Sequence, residues 1–115
     1  MTVQPPTPFP LNERLQEQVS FDRHELSAIL TLYGRMVAMG EWRDYGISSL
    51  RDLAVFAVFR RTAETPLYRI EKRPKLRAKQ GMYAVVGADG QVLRRGHDLP
   101  AVLKVLEKKL IRPVD

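Results

Sequence analysis

The chain has 115 residues, no cysteine, 44% apolar and 28% charged residues, and a formal net charge of +6. That length holds one domain with a core large enough to need no covalent staples, and the missing cysteines exclude a disulfide scaffold, thiolate metal centres and thiol catalysis. The charge is uneven: residues 1–52 carry five Arg and no Lys against seven acids, whereas residues 53–115 carry fourteen basic residues against six acids, so the C-terminal half is expected to attract phosphates or an acidic partner.

The opening MTVQPPTPFP has neither a basic leader nor an apolar stretch before a small-residue cleavage site. The longest apolar run, Leu53 to Phe59, is seven residues, far short of the ~18–20 needed to span a bilayer. A cytoplasmic protein with no membrane partner is expected. Pro5, Pro6, Pro8 and Pro10 forbid helix and central strand, so residues 1–18 read as a disordered proline-rich tail and residues 19–115 as a single domain.

Asp22 and Glu25 fit a capping box. Leu26, Ile29, Leu30, Tyr33, Met36 and Val37 follow at helical spacing as an apolar stripe, with Phe21 as a staple and Gly40 as a left-handed terminator. The segment EWRDYGISS reads as a loop. Leu53 to Arg61 is Val- and Phe-rich and apolar on both alternating faces, which suits a central strand covered on both sides; a helix capped by Ser49 is the alternative. Residues 62–66 read as a turn. Leu67 to Lys72 alternates as a half-exposed strand, with Tyr68 and Ile70 on one face and Arg69 and Glu71 on the other.

Residues 82–87 and 91–95 make a third and a fourth strand, joined at Asp89-Gly90 by a predicted two-residue hairpin turn. A last helix runs from about Leu99 to Ile111, with Pro100 in its first turn and Leu99, Val102, Leu103, Leu106 and Leu110 as its stripe. Lys108, Lys109 and Arg112 suit the negative end of its dipole. The order is helix, four-strand antiparallel meander, helix. The expected class is α+β, a two-layer sandwich with the helices on one face of the sheet.

The strongest chemical signal is KRPKLRAK. Lys72, Arg73, Lys75, Arg77 and Lys79 put five cations in eight residues with no acid among them, and Pro74 marks the segment as a loop or irregular edge. A meander brings Arg94 and Arg95, at the end of the fourth strand, beside this loop. Together these seven residues form a candidate surface for RNA, DNA or another polyanion, with Tyr68 and Tyr83 as candidate stacking platforms. The alternative is a protein-interaction adaptor whose basic loop meets an acidic surface, aided by Trp42, Arg43 and Tyr45. The sole tryptophan more naturally buries its ring against the sheet.

His24 and His97 lack metal-ligand spacing, and His97-Asp98 reads as part of a helix cap. No nucleophile motif, phosphate-binding glycine loop or carboxylate pair is found. A non-enzymatic binding module without metal or cofactor is expected.

The stretches FDRHELSAILTLYGRMVAMGEWRDYGIS, PLYRIEKRPKLR and GQVLRRGHDLPAVLKVL resemble domain-of-unknown-function family 2794, a group of small, mainly alphaproteobacterial proteins. The resemblance covers about residues 20–112. It implies a bacterial cytoplasmic protein and carries over no activity, ligand or catalytic residue.

Overall fold

In a computed structural model, residues 18–61 and 65–107 are described. The proline-rich segment, Leu110, Lys108, Lys109 and Arg112 lie outside the described residues, as does part of the turn at 62–66.

Helix α1 spans Arg23–Ala38. Its start is the expected capping box: Asp22 Oδ1 accepts the Glu25 N–H at 2.8 Å, and Glu25 Oε1 accepts the Asp22 N–H at 2.7 Å. Its end is a Schellman arrangement, in which Gly40 donates to the Val37 carbonyl and Glu41 to the Met36 carbonyl. Gly40 makes this possible with φ of 79°.

The buried seam of α1 is Glu25, Ile29, Leu32 and Met36, rotated from the stripe read in the sequence. Leu26 and Tyr33 are partly buried, while Leu30 and Val37 stay 40% and 41% exposed. Glu25 is drawn inward by partners on the sheet, described below, and this turns Leu30 and Val37 outward.

Five strands follow, where the sequence suggested four: β1 (Asp44–Ser49), β2 (Ala54–Phe59), β3 (Tyr68–Lys72), β4 (Tyr83–Gly87) and β5 (Val92–Gly96). They form one antiparallel meander in chain order. The added strand is the segment DYGISS, read above as loop. Its Gly, Ser and Asp have low strand propensity, and pairing with β2 along all six residues overrides that preference. A tight turn at Arg51 and Asp52 joins the two strands, closed by the Leu50 N–H on the Leu53 carbonyl at 2.9 Å. The strand β2 excludes the helical alternative.

The turn after β4 also differs from the two-residue hairpin. Gly87 donates to Gln91 and Gly90 donates back to Gly87, with Gly90 at φ of 88°. This is a three-residue loop closed by a left-handed glycine. A bulge follows, since Val85 pairs with Arg94 but Val86 pairs with Val92. Helix α2, Leu99–Glu107, buries Leu99, Val102, Leu103 and Leu106 as expected, and Asp98 Oδ2 accepts the Ala101 N–H at its start.

Both helices lie on one face of the sheet, and α2 packs on β4, β5 and α1. The core between the layers joins Ile29, Leu32 and Met36 to Phe56, Val58, Ile70 and Val85 and to Val102 and Leu106, all fully buried. Each such side chain contributes roughly 1.5–3 kcal/mol. Covering β2 on both faces does not occur. Ala54, Phe56 and Val58 are buried under the helices, whereas Val55, Ala57 and Phe59 are only half-buried on the helix-free face. No described helix is long and apolar enough to cross a membrane.

Candidate functional site

The alternation of β3 divides the basic segment between the two faces. Lys72 falls on the helix side, opposite Ala54 and Tyr83. There its Nζ donates to Glu25 Oε1 at 2.8 Å and to the Ser20 carbonyl at 2.9 Å, and its side chain is only 14% exposed. Lys72 is therefore a tie between α1 and the sheet, which removes it from the predicted surface. Tyr83 is removed as well, because it is buried and its hydroxyl donates to Glu25 Oε2. Tyr68 lies half-buried on the helix side, opposite Val58 and near Trp42, with ring centroids 6.4 Å apart, so it stands on the face away from Arg69.

Arg69, Glu71 and Arg73 fall on the opposite, helix-free face. Glu71 is 6% exposed although no helix covers it. Arg69 Nε donates to its Oε2 at 3.3 Å and Arg73 Nε to its Oε1 at 3.2 Å. One carboxylate thus anchors two guanidinium groups through their inner nitrogens, leaving the outer Nη donors without a carboxylate among the described residues. Arg95 stands opposite Ala84, which stands opposite Glu71, so it shares this face. Its Nη1 lies 3.5 Å from the Gly81 carbonyl oxygen, beside the basic loop as the meander predicted. Arg94 points to the other side, opposite Val85, and does not join the group.

Beyond β3 the chain makes one turn of 3-10 helix, Pro74–Leu76. Proline fits its first position because no amide is needed there. Lys75 sits 3.2 Å from Asp52, with side chains 81% and 51% exposed. A pair this open is worth about 0–1 kcal/mol, so Lys75 is not withdrawn from solvent. Arg77 and Lys79 are exposed, with no carboxylate partner among the described residues. A depression of about 240 Å³ between Asp52, Arg73, Lys75 and Leu76 lies at the edge of this loop.

Trp42, at 3% exposure, is a core residue near Tyr33, ring centroids 6.1 Å apart. Its ring offers no anchor to a partner. Arg43 is exposed, and Tyr45 is partly exposed while stacked on Phe56 at 4.8 Å.

A second feature escaped the sequence reading. The first turns of α1 and α2 converge on an open cavity of about 300 Å³, lined in part by Asp22, His24, Glu25, Tyr83, His97 and Asp98. Arg94 is not among its walls. Asp22 and Asp98 are engaged as helix caps, and Glu25 is held by Tyr83 and Lys72. Burial foremost, and then the hydrogen bond to Glu25, push the Tyr83 phenol well above its usual value. The protonated phenol is a donor fixed in place, a role in structure rather than proton transfer. Among the described residues no three His, Asp or Glu side chains are grouped to hold a metal ion.

The fold and this site define a small α+β protein with a five-strand open sheet, covered by helices on one face and lined by arginines on the other. Residues 19–103 match the family model described as a protein of unknown function, DUF2794, and the chain belongs to that family. Comparison with curated proteins and with solved structures finds no match in either.

Proposed function

We propose that the protein is a non-enzymatic binding module that docks RNA or DNA on its helix-free sheet face and the adjoining basic loop. The observation that carries this reading is the arginine group around Glu71. Arg69, Arg73 and Arg95 share one face with a single buried carboxylate, and Arg77 and Lys79 extend the positive surface at the same end of the sheet. The half-buried Val55, Ala57 and Phe59 beside the arginines provide apolar surface for bases and sugars, while the Nη groups meet phosphates.

About five phosphate contacts on a duplex correspond to a log–log salt slope of roughly −4 to −5. Fluorescence anisotropy with a labelled duplex and a labelled single strand, over a salt series, measures it. Replacing Arg77 and Lys79 together by Glu should flatten the slope by about two or more contacts and leave the circular dichroism unchanged. A salt-independent interaction, or none at low salt, overturns the reading. An acidic protein docked on the same cations is the second reading, and co-purification that survives nuclease treatment would select it.

A further inference from the structure

The helix-free face is not evenly charged. The register sets Gly46 and Ser48 of β1 beside Ala57 and Val55 of β2, and these beside Arg69 and Glu71 of β3. Arg95 of β5 closes the row on the far side, across Ala84. Crossing the sheet from β1 to β5 therefore leads from small uncharged residues, over an apolar strip, to the guanidinium groups. The strip is Val55, Ala57 and Phe59, each half-buried on the face that the helices leave open. At ~3.4 Å per residue it is about 14 Å long. On its β1 side Asp44 stands opposite Phe59, where its charge repels a phosphate. Cations thus flank the strip on one side only.

We infer that this face takes single-stranded nucleic acid in preference to a duplex, which rests on the nucleic-acid reading above and narrows it. Width and one-sidedness select the unpaired strand. Five strands spaced ~4.8 Å apart make a surface about 20 Å across, too broad for a major groove of about 12 Å. The face therefore meets a duplex only at its phosphates. A duplex also stacks its base planes on one another and shows only their edges in the grooves. The apolar strip would then be pressed against charged backbone.

An unpaired strand has no such conflict. Its phosphates follow Arg69, Arg73 and Arg95, and Arg77 and Lys79 extend that track beyond the sheet. Its bases turn the other way, across β2, and lie on the strip with the Phe59 ring as the platform at its end. Stacking of this kind accepts every base, since each has a π-face. Little sequence preference is expected.

Three labelled probes test this by anisotropy on the full-length chain at one low salt concentration. They are a single strand of about twelve nucleotides, within the usual span of single-strand sites, its duplex, and an abasic sugar-phosphate strand of equal length. The ordinary single strand should bind at least about fivefold more tightly than either of the others. Phe59→Leu keeps an apolar side chain but removes the ring. It should weaken single-strand binding by about fivefold and leave the salt slope unchanged. Equal or tighter binding of the duplex overturns the inference and leaves the nucleic-acid reading standing. So does an abasic strand that binds as well as the ordinary one, a comparison that needs no variant and is independent of what the substitution does to folding. If none of the three probes binds, the nucleic-acid reading itself falls and takes the preference with it.

Discussion

The carboxylate of Glu25, in the first turn of α1, accepts a hydrogen bond from the hydroxyl of Tyr83 on β4. The same carboxylate holds Lys72 of β3 and the amide of Asp22. One side chain therefore closes the helix cap and fastens the helix to two strands, and no buried polar side-chain atom is left without a partner among the described residues.

Tyr83 should give the alkaline limb of stability. Its folded pKa is raised, by burial first and by Glu25 second, above an unfolded value of about 10. The contribution is thus complete below about pH 10 and is lost as pH rises toward the folded value. Absorbance titration near the tyrosinate band should show this phenol ionising above the ordinary tyrosine range, together with unfolding. Tyr83→Phe should remove that step and cost about 1–3 kcal/mol at neutral pH, because Glu25 loses a donor.

Lys72 and Lys79 should separate structure from surface charge. Lys72→Met should lower stability by about 1.5–3 kcal/mol and leave the salt dependence of nucleic-acid binding unchanged. Lys79→Glu should do the reverse. Denaturant melts and anisotropy on the same samples check both.

Glu71→Gln is expected to lower stability by about 1–2 kcal/mol, since both arginine contacts lose their charged acceptor. It should also tighten oligonucleotide binding at fixed salt, because the face then carries one less negative charge. Weaker binding would show that the carboxylate acts mainly by aligning the arginines.

Trp42→Ala should cost about 3–5 kcal/mol as a core truncation. In the unmodified protein the single indole should emit at short wavelength and resist quenching by iodide. Emission typical of water would contradict its placement.

Two glycines should respond oppositely to alanine. Gly81 has φ of 119°, and a Cβ there would lie 2.7 Å from the backbone of Gly96, so Gly81→Ala should destabilise by about 2 kcal/mol or more. Gly34 sits exposed in α1 with nothing within 4 Å, and Gly34→Ala should stabilise by up to about 1 kcal/mol. Thermal melts of both variants check the contrast.

Where periodicity and caps agreed, the sequence was readable. The Asp22–Glu25 box, Gly40, the α2 stripe and the alternation of β3 all appear as read. Strand β1 was hidden because edge position and pairing, rather than composition, make it a strand. The rotated seam of α1 was hidden because a glutamate, not an apolar residue, leads it inward. For the candidate site, the cations were visible as a run, but their partition was not. It follows from strand parity, which sends Lys72 beneath the helix and Arg69 and Arg73 to the other side, and from cross-strand neighbours such as Ala84 and Arg95 that lie far apart in the chain.

The bulge at Leu93 has a consequence for how large an assembly can become. Beside it, the alternation of β5 sends the adjacent Arg94 and Arg95 to opposite sides of the sheet, so an incoming strand meets a guanidinium above and another below as well as a break in the ladder. Ribbon-like polymerisation needs two receptive borders on every molecule, and this one keeps a fence along one of them.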